Sequence, residues 1–330
     1  MSWVNDVLAA REVWERAPSA HNTQPARLTA EGDRLILGWD PECELTVADP
    51  SRRDLWLSLG AFAESVVIAA SETGYALEMS WSIDARRHVA GALTRVGTSG
   101  GDGDFGAADL LARRTARGPY AAPALAKELA SLMDSPQSAD VRLSLLPPAL
   151  VEVLLPEADR WSFSTPAQVE ELRRWLRLDR KHPAYTEDGL TFEALAMSEA
   201  QARALRIALS PTGWRVLSRL GGPSLLAAAG GQAGIGSVVA LHTSAPAATE
   251  PEAVAEAGRT LLRTWLAAGR AGLSVHPLSQ LIDCPTTSEK VYAALPGSNR
   301  RALSVFRIGR PIHPPVRSAR RGEARVAQVR

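Results

Sequence analysis

The chain has 330 residues, of which 45% are apolar and 22% charged, and a net charge of +1. These are the proportions of a folded globular protein long enough for one large domain or two ordinary ones. No apolar run reaches the ~20 residues that cross a bilayer, the opening Met-Ser-Trp-Val-Asn-Asp lacks the basic start and apolar core of a signal peptide, and Cys43 and Cys284 give neither a disulfide framework nor a CxxC pair. The expectation is a protein of a reducing, cytoplasmic compartment with no membrane span.

In chain order, an amphipathic opening (Trp3, Val4, Val7, Leu8, Trp14) leads into Arg16-Ala-Pro-Ser-Ala-His-Asn-Thr-Gln-Pro25. Pro18 and Pro25 restrict the backbone on either side, so a helix running into this loop gathers Ser19, His21, Asn22 and Gln24. An ordinary helix start capped by Ser19 accounts for the same residues. Residues 34–39 read as a strand, 60–74 as a helix closed by Gly74 at a C′ position, and 75–81 as a strand. Residues 97–106 are Gly/Asp-rich and read as a linker. Within them, Gly97-Thr-Ser-Gly-Gly101 matches the letters of a serine-hydrolase elbow but is not followed by a helix pattern. Residues 109–117 read as helical, which places Arg113 and Arg117 on one face at i, i+4 spacing.

Strand patterns follow at 141–146, 238–242, 273–276 and 302–308. Between the first two lies an insertion of about 150–236, with an Arg/Leu-rich helix at 169–180, another at 198–209 and a Gly-rich stretch at 221–236. In that stretch Gly231-Gln-Ala-Gly-Ile-Gly236 has the wrong glycine order for a dinucleotide fingerprint. Six histidines show no metal-ligand spacing, and no P-loop is present. Helices alternating with short strands predict an α+β sandwich.

One unit occurs twice. The glycines of Gly60…Gly74 and Gly258…Gly272 are spaced alike around an aliphatic-Ala-Ala core, and each segment is followed by a strand pattern. Arg16-Ala-Pro-Ser-Ala20 echoes Arg117-Gly-Pro-Tyr-Ala121, and Thr94-Arg-Val-Gly97 echoes Phe306-Arg-Ile-Gly309. The expected organisation is a first half at 1–100, a linker at 101–106, and a second half at 107–330 that carries the insertion and a basic tail. From Arg300 onward there are nine arginines and one acid, Glu323. A free tail, a nucleic-acid arm and a set of phosphate ligands all fit that composition.

Pro18-Ser-Ala-His-Asn-Thr-Gln-Pro25, Asp49-Pro-Ser-Arg-Arg-Asp-Leu55, Arg113-Arg-Thr-Ala-Arg117, Gly272-Leu-Ser-Val-His-Pro-Leu278 and Arg307-Ile-Gly309 occur in an order and spacing that resemble the nitroreductase superfamily. The fused, two-unit arrangement resembles its Acg-like branch over nearly the full length. The resemblance implies an α+β, nitroreductase-like FMN-binding fold, internally duplicated as a pseudo-dimer, and an FMN-dependent oxidoreductase acting on a small molecule, with NAD(P)H as a candidate reductant. It implies that Pro18, Ser19, Asn22 and Gln24 lie against the flavin ring, with His21 and Asn22 as substrate-side candidates. Arg113, Arg114 and Thr115 would hold phosphate, a task suited to bidentate guanidinium groups, and Arg117 would approach the ribityl chain and ring O2. Ser279 and Gln280 fall where a backbone amide donates to N5. Arg317, Arg320 and Arg321 are candidates for a further phosphate contact. The family's loop usually continues Gln-Pro-Trp, whereas Ala26 follows Pro25 here. A flavin-sequestering protein with a lid near 224–229 is the alternative reading, and nucleic-acid binding by the terminal arginines a weaker one because aromatics are not interleaved. A single chain would suffice for one FMN site.

Overall fold

The computed structural model describes residues 2–100, 104–133, 140–222, 224 and 236–322. The middle of the expected linker and most of the Gly-rich stretch, including Gly231 and Gly234, lie outside the described residues. So does most of the expected lid.

Two 20-residue helices, Arg53–Glu72 and Pro251–Arg270, form the centre. Their apolar residues share one core with the inward faces of two antiparallel sheets: Leu59, Phe62 and Val66 of the first helix and Leu261 and Trp265 of the second pack in a cluster with Leu37, Leu93, Leu241 and Phe306. The first sheet contains β1 (Ala26–Glu31), β2 (Arg34–Trp39), β3 (Tyr75–Asp84) and β4 (Val89–Thr98), in the order β1-β2-β4-β3. The second contains β5 (Tyr120–Pro123), β6 (Arg142–Leu145), β9 (Ser237–Ser244), β10 (Ser274–Pro277) and β11 (Arg300–Pro311). Its order is β6-β9-β11-β10, with β5 added on β11. With β5 set aside, each sheet has the strand order first-second-fourth-third, with a central helix between its second and third strands. Ala76 faces Gly97 across β3 and β4, and Ser274 faces Gly309 across β10 and β11.

The two central helices cross at Gly60 and Gly258. A Cβ on Gly60 would lie 1.7 Å from the carbonyl oxygen of Ala255, and one on Gly258 would lie 2.3 Å from that of Leu57. Only glycine permits this approach of backbone to backbone. Fully buried Glu64 of the first helix accepts from Nε of Arg259 at 2.7 Å and of Arg263 at 2.6 Å, both on the second. A buried carboxylate needs such partners.

Three local expectations are corrected. Helix Arg53–Glu72 is long and apolar enough to span a membrane by length and composition, against the expectation that no stretch is, but 78% of its most apolar window is buried inside the protein. The helix expected at 169–180 spans Pro166–Trp175. Leu176 and Arg177 leave it as β7 (Leu176–Arg177) to pair in parallel with β8 (Leu190–Thr191), and Arg177 enters a buried ion pair with Asp188. The helix expected at 109–117 ends at Ala112. Beyond it the chain is held extended, because Thr115 bridges Val275 and the Ala116 N–H donates to the Val275 carbonyl at 3.0 Å.

Candidate active site

The loop between the opening helices and β1 is held in an unusual backbone conformation. His21, Asn22 and Gln24 have φ of 47°, 56° and 52°, a left-handed region that non-glycine residues seldom occupy and that persists only where surrounding contacts enforce it. The contacts are present. The Gln24 N–H donates to Ser19 Oγ at 2.9 Å, so Ser19 braces the loop; it makes no side-chain cap on the short helix Ala20–Asn22. Asn22 Nδ2 donates to the carbonyls of Gly189 (3.1 Å) and Ala319 (3.2 Å), and its Oδ1 accepts from Arg320 at 2.9 Å. Gln24 Nε2 donates to the Glu187 carbonyl at 2.9 Å, and its Oε1 accepts from the Arg321 N–H at 3.1 Å. Asn22 and Gln24 therefore tie the loop to the insertion and to the C-terminal segment. Neither is among the residues that line the adjacent cavity.

That cavity measures about 370 Å³, within the usual size of small-molecule sites. Pro18, Ser19 and His21 of the loop line it together with Thr115, Arg117, Ser279 and Gln280. Residues almost a hundred or more positions apart thus share one wall. The extended backbone from Arg113 to Arg117 explains part of this: alternate residues of an extended chain face one way, so Arg113, Thr115 and Arg117 follow one another on one side, not at helical i, i+4 spacing. Ser279 and Gln280 begin the turn Gln280–Asp283, in which the Leu281 N–H donates to the Leu278 carbonyl at 3.1 Å and those of Ile282 and Asp283 donate to the Ser279 carbonyl at 2.9 Å. The Gln280 side chain donates to Asp159 at 2.9 Å. Trp161, Phe163, Leu172, Leu190 and Leu195 of the insertion form an apolar wall. Glu171 fixes that wall by accepting from the N–H groups of Val47 (3.0 Å) and Ala48 (2.7 Å).

Beside the cavity lies a concentration of positive charge. Arg16, Arg113, Arg114, Arg317 and Arg320 repel one another, and burial together with that repulsion lowers the affinity of Arg113 for its proton to about 10 and that of Arg320 well below its ordinary value. Glu15 pairs with Arg16 at 3.2 Å. Arg113 and Arg320 direct Nη2 at the Arg16 carbonyl, at 3.0 and 3.2 Å. Arg113 Nη1 lies 3.5 Å from Thr115 Oγ1. The Nε atoms of Arg16 and Arg113 are buried without a hydrogen-bond partner. Such orphaned, mutually repelling donors are the signature of an anion site. Arg321 is 8% exposed, ion-paired with Asp188 at 2.9 Å and bonded to Cys43 Sγ, so it pins the C-terminal segment.

Burial and the Arg117 charge push His21 down to about 4, against a smaller opposing effect of Asp54. Its Nδ1 is buried without a partner. Burial also lowers Arg117 to about 10. His276 sits on β10 and lines the cavity, and burial with the neighbouring Arg117 and Arg307 keeps it neutral. Opposite Ala26, where the resemblance leads one to expect a neighbouring tryptophan, the paired strand carries Trp39.

Several cavity residues were not singled out from the sequence. Asp49, Asp54, Asp159 and Asp283 line it. Only the run Asp49…Leu55, present as a motif without an assigned role, signalled any of them. Burial and the neighbouring Asp54 raise Asp49 to about 8, and burial raises Asp283 to about 7. A carboxyl that stays protonated in the fold but ionises on unfolding binds more protons folded than unfolded, so stability falls as pH rises from its unfolded to its folded value. The buried His21, His242 and His276 act oppositely, losing stability as pH falls below their unfolded value near 6.5. Above pH 6.5 only the carboxyl effect of these groups remains. Thermal and urea unfolding should show stability falling by on the order of 1–2 kcal/mol between about pH 6.5 and 8, and Asp49→Asn should flatten that slope. A stability that rises over this interval in wild type would contradict the assignment.

No family model and no curated protein matches the chain. Among solved structures it is similar to a nitroreductase-like family protein from Bacillus cereus, with 13% identity and a TM-score of 0.34 over 66% of this chain and 90% of that one. It is also similar to the FMN-dependent nitroreductase NfnB from Mycobacterium smegmatis in complex with NADPH, with 18% identity and a TM-score of 0.37 over 64% and 90%. A nitroreductase with bound FMN from Bacteroides fragilis matches with 10% identity and a TM-score of 0.37 over 66% and 94%.

Proposed function

We propose that the chain is an FMN-dependent oxidoreductase of the nitroreductase type, built from two fused nitroreductase-like units in the manner of the Acg-like branch. The observation that carries this reading is the single cavity wall joining the loop at 18–21 of the first half to Thr115, Arg117, Ser279 and Gln280 of the second. Two features support the fusion. The sheets repeat one strand order around equivalent helices, and their pairs Ala76–Gly97 and Ser274–Gly309 are in matching register. The contact between the helices is self-complementary: Gly60 meets Ala255 and Gly258 meets Leu57, the reciprocal pattern of a two-fold interface.

The residues present fit FMN. The orphaned Nε atoms of Arg16 and Arg113, with Arg114, Thr115, Arg317 and Arg320, suit a phosphate. Arg117 would supply positive charge for the pyrimidine edge of the ring, and the amides at 279–280 would be the candidate donors for N5. When bound, the flavin supplies hydride transfer through N5. Ser19 and the strained loop fix the wall against which the ring would lie, and the insertion's apolar residues exclude water from it. NADH or NADPH and a small organic substrate would alternate in the same space.

The reciprocal position is filled. Tyr120, at the place of Ser19 in the second copy, is 3% exposed, and its hydroxyl donates to the Ala116 carbonyl at 3.0 Å. One FMN per chain follows. Purified protein should be yellow, absorb near ~450 nm as non-covalent flavins do, and release one FMN per chain on denaturation. Colourless protein that takes up no added FMN ends the flavin reading, and a stoichiometry near two ends the single-site reading.

The fixed apolar wall also favours a second reading, flavin sequestration without turnover. Anaerobic mixing with NADH or NADPH separates the two: rapid bleaching marks the enzyme, and persistent colour the store. We place the protein in a reducing compartment because Cys43 and Cys284 are both free and buried.

A further inference from the structure

The cavity has a second polar region that a flavin phosphate and ring edge do not account for. Asp49, Asp54 and Asp283 gather about Arg53, whose Nη2 lies 2.7 Å from Oδ1 of both Asp54 and Asp283. Two carboxyls share one guanidinium, and the Asp49 carboxyl stands within its electrostatic reach. Asp49 is 7% exposed and takes its hydrogen bonds from the Leu55 N–H at 3.0 Å and from Ser51. All three carboxyls line the cavity, alongside the apolar wall of Trp161, Phe163, Leu172, Leu190 and Leu195. Trp265 lines it too. It is 5% exposed, and its indole N–H has no hydrogen-bond partner.

Buried carboxylates in excess of their counter-charge require either protons or a cation. The upward displacement of Asp49 and Asp283 means that, without a ligand, protons fill that need. An ammonium group meets it better, with a full charge and three donors for the carboxylate oxygens. The unpartnered indole N–H lies buried in a residue of the same lining. We propose that this region binds a protonated amine carried on an aromatic or apolar body, with the ammonium seated against Asp49, Asp54 and Asp283 and the body against the insertion wall. As the substrate class of the oxidoreductase, this rests on the flavin reading; as a binding site, it is measurable apart from it.

The test titrates purified protein calorimetrically with phenethylamine, with its neutral isostere phenethyl alcohol, and with the anion hydrocinnamate. The amine should bind at least about tenfold more tightly than the alcohol, as expected for one charge-assisted hydrogen bond, and hydrocinnamate most weakly. Asp283→Asn should remove most of the amine's advantage while leaving the affinity for the alcohol in place. Alcohol or hydrocinnamate binding as tightly as the amine, or an amine that does not bind, overturns the proposal. If Asp283→Asn does not fold, the ranking of the three probes on wild type decides alone. FMN content is read in the same samples. Amine preference in protein that neither holds nor takes up added FMN supports the site and removes the flavin reading, whereas FMN without amine preference removes only this proposal.

Discussion

Replacing Gly60 by alanine should destabilise the protein by about 3 kcal/mol or more, or prevent folded protein from accumulating. In an exposed helix the same change would be favourable by roughly 0.5–1 kcal/mol, because glycine is the poorer helix former. Here the new methyl would lie 1.7 Å from the Ala255 carbonyl oxygen and 2.9 Å from Gly258 Cα. Both obstacles are backbone, so no side chain can rotate away and the two central helices must separate. Overpacking a core typically costs about 1–3 kcal/mol where side chains can adjust, and the absence of that relief argues for the upper end or beyond. Gly258→Ala should behave alike. Gly269, at the exposed end of the second helix with open space within 4 Å of where a Cβ would stand, provides the opposite sign: Gly269→Ala should be neutral or stabilising by roughly 0.5–1 kcal/mol. Urea denaturation of the three variants checks both. A Gly60→Ala protein as stable as wild type would mean that the helices do not cross here.

The second large effect concerns the arginines. Arg113→Ala and Arg117→Ala should each weaken FMN binding by roughly tenfold to a hundredfold, since a hydrogen bond to a charged group is worth about 1.5–3 kcal/mol and ~1.4 kcal/mol is a decade. Their contributions differ in kind. Arg113 stands in the cationic group, where a phosphate dianion would relieve repulsion from Arg16 and Arg114. Arg117 stands on the cavity wall beside His21 and His276. Loss of Arg113 should therefore weaken riboflavin, which lacks the phosphate, far less than FMN, while loss of Arg117 should weaken both. Fluorescence titration of the apoprotein measures each constant. An exposed arginine on the insertion, Arg173, which among the described residues pairs with Glu170 of its own helix, serves as the neutral control. Unchanged FMN affinity in both variants would remove these residues from the site.

Much of the architecture was legible because local periodicity reports on it. The apolar runs around Gly60 and Gly258, the strand patterns after Gly74 and Gly272, and the echo of Gly97 in Gly309 all lie within short segments whose neighbours in sequence are their neighbours in structure. Boundaries were less legible where a tertiary partner overrides propensity. The segment after Ala112 has a helical composition, yet pairing of Thr115 and Ala116 with Val275 draws it out straight. Trp175 ends its helix because Leu176 and Arg177 are taken by Leu190, Thr191 and Asp188.

The order of residues sets the chemistry available: a proline-bounded polar loop, an Arg-Arg-Thr-x-Arg run, a repeated helix with a glycine at its crossing point, and no metal-ligand spacing. Folding then selects which of those groups face one another. Ser19, Arg117 and Gln280 meet on one wall, whereas Asn22, Gln24 and Arg321, equally prominent in sequence, turn away to clamp the C-terminal segment. The carboxyls of Asp49, Asp54 and Asp283 become one group about Arg53 although more than two hundred residues separate the first from the last. A side chain's direction depends on backbone dihedrals and burial fixed by distant contacts, and a charge acquires its meaning only from what folding places beside it.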